Sequence, residues 1–286
     1  MKRLNIRQLV LPMAALAVAA CGDSTSSNTG TATLRIQLTD GPSIEYDSAI
    51  VWIGAVTLLP VEGDPIVITD EGGRFDLLDL QNGVTAELGS VDLEPGDYRE
   101  LRLVVTDAYV GLAPPWEFED GTTERSLKIP SGAQSGIKVK LGTGDGDGEE
   151  GITITPGETI LVVDFDVSQN FKTQGNPNTP AGLKGVLFTP VLRAVVRDIA
   201  GSIAGTVTSS ADDSPIVGAT VRASIDVDGE TVEVTAVTGA DGTYVIQFLA
   251  PGTYEVSVDA FSAAAQTVDV GEGEDVMDVD FSGTST

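Results

Sequence analysis

The sequence predicts an all-β protein with two consecutive antiparallel β-sandwich domains behind a cleaved N-terminal signal segment. Three observations predict this architecture. After Thr31 the apolar residues recur with a period of two, in short runs rich in β-branched residues that end at Gly, Pro, Asp or Asn. Almost no helical period occurs in the same region. The balance of charged residues changes near residue 200, which indicates a domain boundary there.

The composition excludes several classes of function. The 286 residues include 16 Lys and Arg, 43 Asp and Glu, no His and one Cys, so the formal net charge is −27. Without His there is no Ser-His-Asp triad, Cys-His pair or His-ligated metal, and one Cys allows neither an internal disulfide nor a Cys-based zinc or iron–sulfur site. We expect no nucleic-acid partner, because backbone phosphates require a basic surface. A pair of carboxylates remains available for catalysis.

The first 20 residues have the pattern of a secretory signal peptide. Lys2, Arg3 and Arg7 provide a basic start, and residues 9–20 (LVLPMAALAVAA) form an apolar run. As a helix this run would reach only about 18 Å, which is short of the roughly 30 Å of a bilayer core. The alternative is a buried N-terminal helix, which would need polar residues on its outer face, and the run has none.

Residues 18–21 (VAAC) resemble the lipobox of bacterial lipoproteins. The resemblance implies that the Cys21 thiol is alkylated with diacylglycerol, that the chain is cut before Cys21, and that the new amine is acylated. More than one acyl chain makes membrane attachment stable. Residue 22 is Gly rather than the Asp that acts as a retention signal in enterobacteria, so the expected location is the outer membrane of a bacterial envelope. Residues 21–31 would form a flexible tether, since they are small and polar.

The first domain is expected over residues 32–198. Leu34, Ile36 and Leu38 alternate with polar neighbours and begin its series of strands. A single candidate for a helical turn lies at residues 77–80. The further runs predicted as strands are residues 49–53, 66–68, 101–105, 137–141, 152–154 and 160–167.

The second domain is expected over residues 199–286, where Arg222 is the only basic residue after residue 200. Both domains contain a Pro-Gly turn ahead of a Tyr, LEPGDY at 93–98 and LAPGTY at 249–254. Pro followed by Gly suits a type II turn, in which the Gly adopts positive φ. A Tyr at a strand start that bonds its hydroxyl back to nearby backbone resembles the corner of immunoglobulin-like sandwiches.

Residues 201–282 contain three characteristic motifs, GSIAGTVT (201–208), SPIVGATVRA (214–223) and TGADGTYVIQFLAPGTYEVSVDA (238–260). Asp241 and Gly242 in the third motif fit a tight hairpin turn with positive φ at both positions. On these motifs the segment resembles the carboxypeptidase regulatory-like family. The resemblance implies a transthyretin-like, seven-stranded sandwich of a broad carbohydrate-binding-like superfamily, without catalytic activity.

Residues 33–197 contain six characteristic runs: LRIQLTDGPSIEYDSAIVWIGAV (34–56), FDLLDLQNG (75–83), LEPGDYRELRLVV (93–105), KIPSGAQSGIKVKLG (128–142), ILVVDFDVSQNF (160–171) and FTPVLRAVV (188–196). On these runs the segment resembles a bacterial lipoprotein domain known as domain of unknown function 4382. The resemblance implies an all-β fold and a domain boundary, and it implies no substrate.

The acidic loop at residues 144–150 (GDGDGEE) is the candidate metal site. Asp145, Asp147, Glu149 and Glu150 alternate with or follow Gly residues and could surround Ca²⁺, which binds six to eight oxygens at about 2.4 Å. The loop departs from the EF-hand pattern, and a solvated hairpin loop is the alternative. No other cofactor is expected.

Two further acidic sets have weaker signals. Asp164 and Asp166 flank Phe165, and strand alternation would place both carboxylates on one face. They could bind a cation or form an acid–base pair, and the solvated face of a sheet is the alternative. The second set is expected on a solvated edge strand and comprises Glu272, Glu274, Asp275, Asp278 and Asp280.

Trp116 is the candidate ligand-binding residue. It follows Ala113, Pro114 and Pro115 in an expected loop, where an exposed indole could stack on a sugar ring. Trp52 lies in an expected strand and is predicted to be in the core.

These observations favour a non-enzymatic, lipid-anchored envelope protein that acts as a binding or spacer module. Its expected partners are the membrane, through the lipid, and a glycan or an envelope protein. One alternative is a carbohydrate-binding surface lipoprotein. The other is a carboxylate-only hydrolase, which would need a carboxyl of raised pKa beside a second carboxyl in a cleft.

Overall fold

The structure is a computed structural model that describes residues 30–284, apart from residues 42, 44, 131–135, 142–150, 177–181, 228–229 and 260. Its regular structure is almost entirely β-strand, as the sequence predicts. The strands are β1 (Ala32–Thr39), β2 (Tyr46–Pro60), β3 (Ile66–Thr69), β4 (Gly73–Asp76), β5 (Ala86–Leu93), β6 (Gly96–Leu112), β7 (Glu124–Ser126), β8 (Ile137–Leu141), β9 (Ile152–Ile154), β10 (Gly157–Asp164), β11 (Phe171–Gly175), β12 (Leu183–Phe188), β13 (Leu192–Val196), β14 (Gly201–Ser209), β15 (Thr220–Val227), β16 (Glu230–Val237), β17 (Thr243–Leu249), β18 (Gly252–Val258), β19 (Gln266–Val270), β20 (Asp275–Val276) and β21 (Phe281–Gly283).

Helical structure in the described residues is short. A four-residue α-helix, α1, covers Val167–Asn170. Two 3₁₀ turns cover Leu77–Leu80 and Arg197–Ile199, and the first of them confirms the predicted helical turn. Within the part of the chain that is described, no helix is long and apolar enough to span a membrane.

Strands β1–β13 form the N-terminal module, which is built on one long sheet in the order β3-β2-β6-β8-β13-β10-β1-β5. The sheet curls until its two edges approach each other. A Cβ added at Gly89 of β5 would lie 3.1 Å from Ile68 Cγ2 of β3. The apolar faces of both halves therefore share a single core, to which nearly every strand contributes. Each fully buried Leu or Ile in it stabilises the fold by roughly 1.5–3 kcal/mol.

Strand β1 runs parallel to β10, although the sequence pattern was interpreted as antiparallel throughout. Thr39 is the register partner of Asp164, so both strands end at the same edge of the sheet. Strands β8 and β13 are also parallel, while the other described pairs within this module are antiparallel. Parallel strands need a long crossover connection, and the periodicity of each strand does not report which distant strand it joins.

Strands β14–β21 form the C-terminal module, a sandwich with its own hydrophobic core. One sheet has the order β16-β15-β18-β19, and the other has the order β17-β14-β20, with β21 also paired to β14. The C-terminal acidic set lies on and beside the short edge strand β20. All five of these side chains are exposed, as expected.

The two predicted tyrosine corners are present. Tyr98 donates its hydroxyl to the Glu94 carbonyl at 2.6 Å, and Tyr254 donates to the Ala250 carbonyl at 2.8 Å. The predicted positive φ is absent at Gly96, and at Gly252 φ is positive but, at 158°, far from the roughly 80° of a type II turn. Both glycines instead start a strand, β6 and β18 respectively.

The predicted hairpin at Asp241-Gly242 is also wrong. Gly242 has φ of 75°, whereas Asp241 does not have positive φ. The turn carries the chain from β16 in one sheet to β17 in the other, so its two strands are not hydrogen-bonded partners. Asp241 stabilises the turn by accepting bonds from the Thr243 amide and hydroxyl.

Candidate functional site

Three carboxylates meet where β1 and β10 end. Asp40 follows the last residue of β1, Asp164 is the last residue of β10, and Asp166 lies two residues beyond it. Because the strands are parallel, with Thr39 opposite Asp164, their carboxyl ends bring these residues to one sheet edge. Asp40, Asp164 and Asp166 are all buried.

The chain after β10 turns sharply to place Asp166. Phe165 is fully buried and stacks on Phe188 with ring centroids 6.0 Å apart, which anchors the turn. Asp166 adopts φ of 35°, a left-handed conformation that Asp tolerates better than most residues. Its Oδ1 accepts bonds from the Ser168 hydroxyl at 2.6 Å and from the Gln169 amide at 3.2 Å, and it thereby caps α1.

Asp40 is tied to the same turn by one of its two carboxylate oxygens. Its Oδ1 accepts a bond from the Val167 amide at 2.7 Å. Its Oδ2 has no hydrogen-bond partner among the described residues, and the same is true of Asp166 Oδ2. The two residues are close neighbours, since a Cβ at Gly41 would lie 3.2 Å from Asp166 Cγ.

Arg193 joins this acidic edge to the C-terminal module. It is the register partner of Asp164, and its Nη2 lies 2.5 Å from Asp164 Oδ2. Its Nη1 donates to the Phe248 carbonyl of the other module at 3.0 Å. Phe248 adopts φ of 55°, which is unusual for a bulky residue, and the guanidinium of Arg197 lies 6.0 Å from its ring centroid.

A second contact joins the modules beside the acidic turn. Gln169 donates from its Nε2 to Glu233 Oε2 at 3.2 Å. Arg222 forms an ion pair with the same Glu233 at 2.5 Å and a second pair with Asp259 at 2.6 Å. Two side-chain hydrogen bonds therefore cross the junction in the described residues, and the Arg222 pairs hold Glu233 from within the C-terminal module.

A cavity of about 30 Å³ lies between the modules at this point. That volume holds one or two water-sized groups and is too small for a sugar ring. The Oγ1 of Thr235 in β16 is buried and has no hydrogen-bond partner among the described residues. The cavity is lined from the N-terminal module by Thr39, Asp40, Gly41, Asn82, Gly83 and Asp164, and from the C-terminal module by Val234, Thr235, Val245, Gln247 and Phe248.

The electrostatics of the cavity disfavour negative charge. Burial, followed by repulsion from Asp166 and Asp164, raises the pKa of the Asp40 carboxyl well above its ordinary value. Burial and the charge of Asp164 raise the pKa of Asp166 to about 6, although bonds from Ser168 and Gln169 oppose the rise. Only one positive side chain, Arg193, forms an ion pair with any of the three carboxylates among the described residues.

These positions correct the interpretation of Asp164 and Asp166 as the solvated face of one strand. Strand β10 ends at Asp164, so the alternation does not continue to Asp166. Both residues are buried, and Asp164 lines the cavity between the two modules. Asp40, Arg193 and Thr235 are not among the predicted site residues, and the one signal for the site is an Asp at or just after the end of a predicted strand, as at Asp164 and Asp40.

The two Trp residues also differ from expectation. Trp52 is not in the core: it lies on the outer face of β2, partly covered, with the Arg74 guanidinium 5.9 Å from its ring centroid. Its neighbours Val51 and Ile53 occupy the inner face. Trp116, expected to be exposed, is partly buried and packs against the N-terminal core.

Two predicted sites lie outside the described residues. These are the lipidation site at Cys21 and the acidic loop with Asp145, Asp147, Glu149 and Glu150. Within the residues that are described, no group of three or more His, Cys, Asp or Glu side chains is placed to hold a metal ion.

Several solved structures match this chain at low similarity. The TIE protein of Bacillus anthracis is 12% identical, with 90% of this chain and 35% of that chain covered and a TM-score of 0.26. A streptococcal ancillary pilin is 11% identical, with 90% and 64% covered and a TM-score of 0.25. BcpA, the major pilin subunit of Bacillus cereus, is 11% identical, with 90% and 100% covered and a TM-score of 0.24. Likeness at this level says nothing about function.

The chain thus spans about a third of the first of these structures and less than two thirds of the second. No curated protein matches the sequence.

Two family models do match, in the order that the sequence suggested. Residues 202–282 match the carboxypeptidase regulatory-like domain, and residues 31–180 match the domain of unknown function DUF4382. Since the second match covers more than half of the chain, the protein belongs to the DUF4382 family and carries a carboxypeptidase regulatory-like domain behind it.

Proposed function

We propose that this chain is a lipid-anchored protein of the bacterial cell envelope whose two β modules, docked as one unit, serve as a non-enzymatic spacer or binding element. The observation that carries the proposal is the junction at Arg193. Its guanidinium bonds to Asp164 in one module and to the Phe248 carbonyl in the other. A joint of this kind suits a protein that holds its two modules in a fixed arrangement relative to each other.

The anchor itself rests on the sequence. A basic start, a short apolar run and the chain's single Cys at the end of a lipobox-like motif support lipidation at Cys21. The small polar residues of the tether would leave the modules free to stand off the headgroups. Both features favour an envelope location, and Gly22 favours the outer membrane.

The geometry of the junction favours a structural role over hydrolysis. Asp40 and Asp166 have the raised pKa values that a carboxylate hydrolase would need. The cavity beside them, however, is about 30 Å³, which leaves no room for a sugar or a peptide between the carboxylates. Trp116 gives little support for sugar recognition, because its ring packs against the core.

Lipidation and fractionation test the proposal. Labelled palmitate should enter the wild-type protein and not the Cys21→Ala variant. We expect that variant to leave the membrane fraction while its far-UV circular dichroism and melting temperature stay unchanged. Membrane retention of Cys21→Ala at high salt, or an unmodified Cys21 in the mass spectrum of the processed N-terminus, would contradict the anchor.

A further inference from the structure

We propose that the cavity between the two modules is a binding site for a hard divalent cation of the calcium class, held by Asp40 and Asp166 of the N-terminal module and Thr235 of the C-terminal module. This inference goes beyond the proposed spacer role and does not depend on the lipid anchor. It also concerns residues other than the acidic loop at residues 144–150.

The buried carboxylates at this edge carry more negative charge than the neighbouring side chains compensate. Asp40, Asp164 and Asp166 are grouped at one buried edge, and Arg193 pairs with Asp164 alone. Asp40 and Asp166 therefore remain without an ion-pair partner among the described residues. Burying a carboxylate without compensation costs several kcal/mol. A divalent cation would balance these two charges.

Three buried side-chain oxygen atoms beside the cavity lack hydrogen-bond partners. Asp40, Asp166 and Thr235 are only 4%, 5% and 4% exposed. Asp40 Oδ2, Asp166 Oδ2 and Thr235 Oγ1 all lack a hydrogen-bond partner among the described residues. Asp40 and Thr235 line the cavity from opposite modules, and Asp166 lies against Gly41 in its wall. Buried polar atoms in folded proteins are rarely left unsatisfied, so these three atoms indicate an occupant.

The oxygen atoms at the site are of the kind that binds hard cations. Carboxylate and hydroxyl oxygens are the ligands of hard cations, and the site offers neither His nor Cys. Calcium tolerates an irregular oxygen set and completes its coordination with water, whereas magnesium demands near-octahedral geometry. The cavity of about 30 Å³ seats the ion and is partly open to solvent, so that water oxygens can complete the coordination.

Neither a proton nor a water molecule alone would both neutralise the buried carboxylates and bond to the oxygens that lack partners. A proton on Asp40 would remove one charge and leave Thr235 Oγ1 without a partner. The Gln81 side chain lies close enough to Asp40 to lower the pKa of its carboxyl, although it makes no hydrogen bond of ordinary geometry with it. A water molecule could bond to Asp40, Gln81 and Thr235 together, but it carries no charge and would neutralise neither carboxylate. A hydrated cation neutralises the charges and bonds the oxygens.

The site has two free carboxylates rather than three, because Asp164 is engaged by Arg193. A calcium site with fewer charged ligands binds more weakly, and modules outside the cell bind with dissociation constants of about 0.1–1 mM. We therefore expect affinity in that range. At a free calcium concentration ten times the dissociation constant, binding should raise the melting temperature of the chain by about 3–6 °C.

The test uses the full chain, purified in detergent and stripped of metal with a chelator. Melting temperatures with calcium and with chelator are compared for the wild type, Asp40→Asn, Thr235→Val and the loop variant Asp145→Asn/Asp147→Asn. We expect a rise with calcium in the wild type and in the loop variant. Asp40→Asn should abolish the rise, and Thr235→Val, which keeps the shape of the side chain, should weaken binding several-fold in calorimetric titration.

Three results would overturn the proposal. One is the absence of any calcium effect on the wild type, which would leave only water and a proton in the cavity. Another is a calcium effect that disappears in the loop variant and persists in Asp40→Asn. If Asp40→Asn does not fold, the Thr235→Val titration decides alone, and an unchanged dissociation constant would dismiss the site.

Discussion

Asp164 and Arg193 face each other across the paired strands β10 and β13, and the Arg193 guanidinium extends from this carboxylate to the Phe248 carbonyl of the other module. The side chains of Arg193 and Asp164 are 18% and 6% exposed, so the pair is shielded from solvent. One residue therefore compensates a buried charge in the N-terminal module and docks the C-terminal module.

Replacing Arg193 should be strongly destabilising. Arg193→Met would leave a third uncompensated carboxylate at the buried edge and remove the bond to Phe248, for a loss of about 3–5 kcal/mol. Urea unfolding monitored by circular dichroism measures this loss. Arg35→Met is the matched control, because Arg35 pairs with Glu87 and Glu158 at the surface, where such pairs contribute about 0–1 kcal/mol. Equal losses in both variants would show that Arg193 has no special role.

The stability of the calcium-free protein should fall as pH rises from about 4 to 6. The pKa of Asp166 is raised to about 6 in the folded chain from an ordinary 3.8, so the folded state binds more protons than the unfolded state within this window. Asp40, whose pKa is raised in the same direction, adds to the effect. Above the window the loss from Asp166 is complete.

The matched variant for this effect is Asp166→Asn, which keeps the left-handed backbone and the helix cap and carries no charge. Its urea midpoint, measured in chelator across the same pH range, should vary less than that of the wild type. It should also exceed the wild-type midpoint near neutral pH. A wild-type midpoint that rises through this window would contradict the buried charge pair.

The strands of both modules could be predicted from the sequence because their signal is local. Leu34, Ile36 and Leu38 alternate in the sequence, and all three side chains are fully buried in the structure. The tyrosine corners at Tyr98 and Tyr254 were predictable for the same reason, since each bond spans four residues.

The acidic site was not predictable, because it depends on long-range pairing. Asp40 and Asp166 are far apart in sequence, and they meet only because β1 lies parallel to β10. Thr235 joins them through the docking of a second module. Nothing in the alternation of a single strand encodes either relationship, so Asp164 was assigned to a solvated face.

The tyrosine corners should contribute equally to the two modules. Tyr98→Phe and Tyr254→Phe each remove one hydrogen bond to a backbone carbonyl and should each cost about 1 kcal/mol. The shift of the urea midpoint at constant slope measures this loss. Tyr109→Phe is the control, since its hydroxyl bonds to Glu124 at the surface. A corner variant no less stable than the wild type would rule out a stabilising role for that bond.

Trp116 should act as a packing residue. Trp116→Ala would uncover part of the N-terminal core and should cost about 2 kcal/mol, less than a fully buried Trp because the ring is only partly covered. Trp116→Phe should retain most of this stability. If Trp116→Ala leaves the melting temperature unchanged while it abolishes binding on a glycan array, the indole is a sugar-binding residue instead.

The central claim is that the two modules are docked as one unit, and a distance measurement tests it most directly. Spin labels are placed at Val67→Cys in the N-terminal module and Val217→Cys in the C-terminal module, both exposed sites, in a Cys21→Ala background. Pulsed electron paramagnetic resonance should give one narrow distance distribution, which broadens when Arg193→Met is added. A broad distribution in the chain that retains Arg193 would show that the modules move independently and would contradict the account.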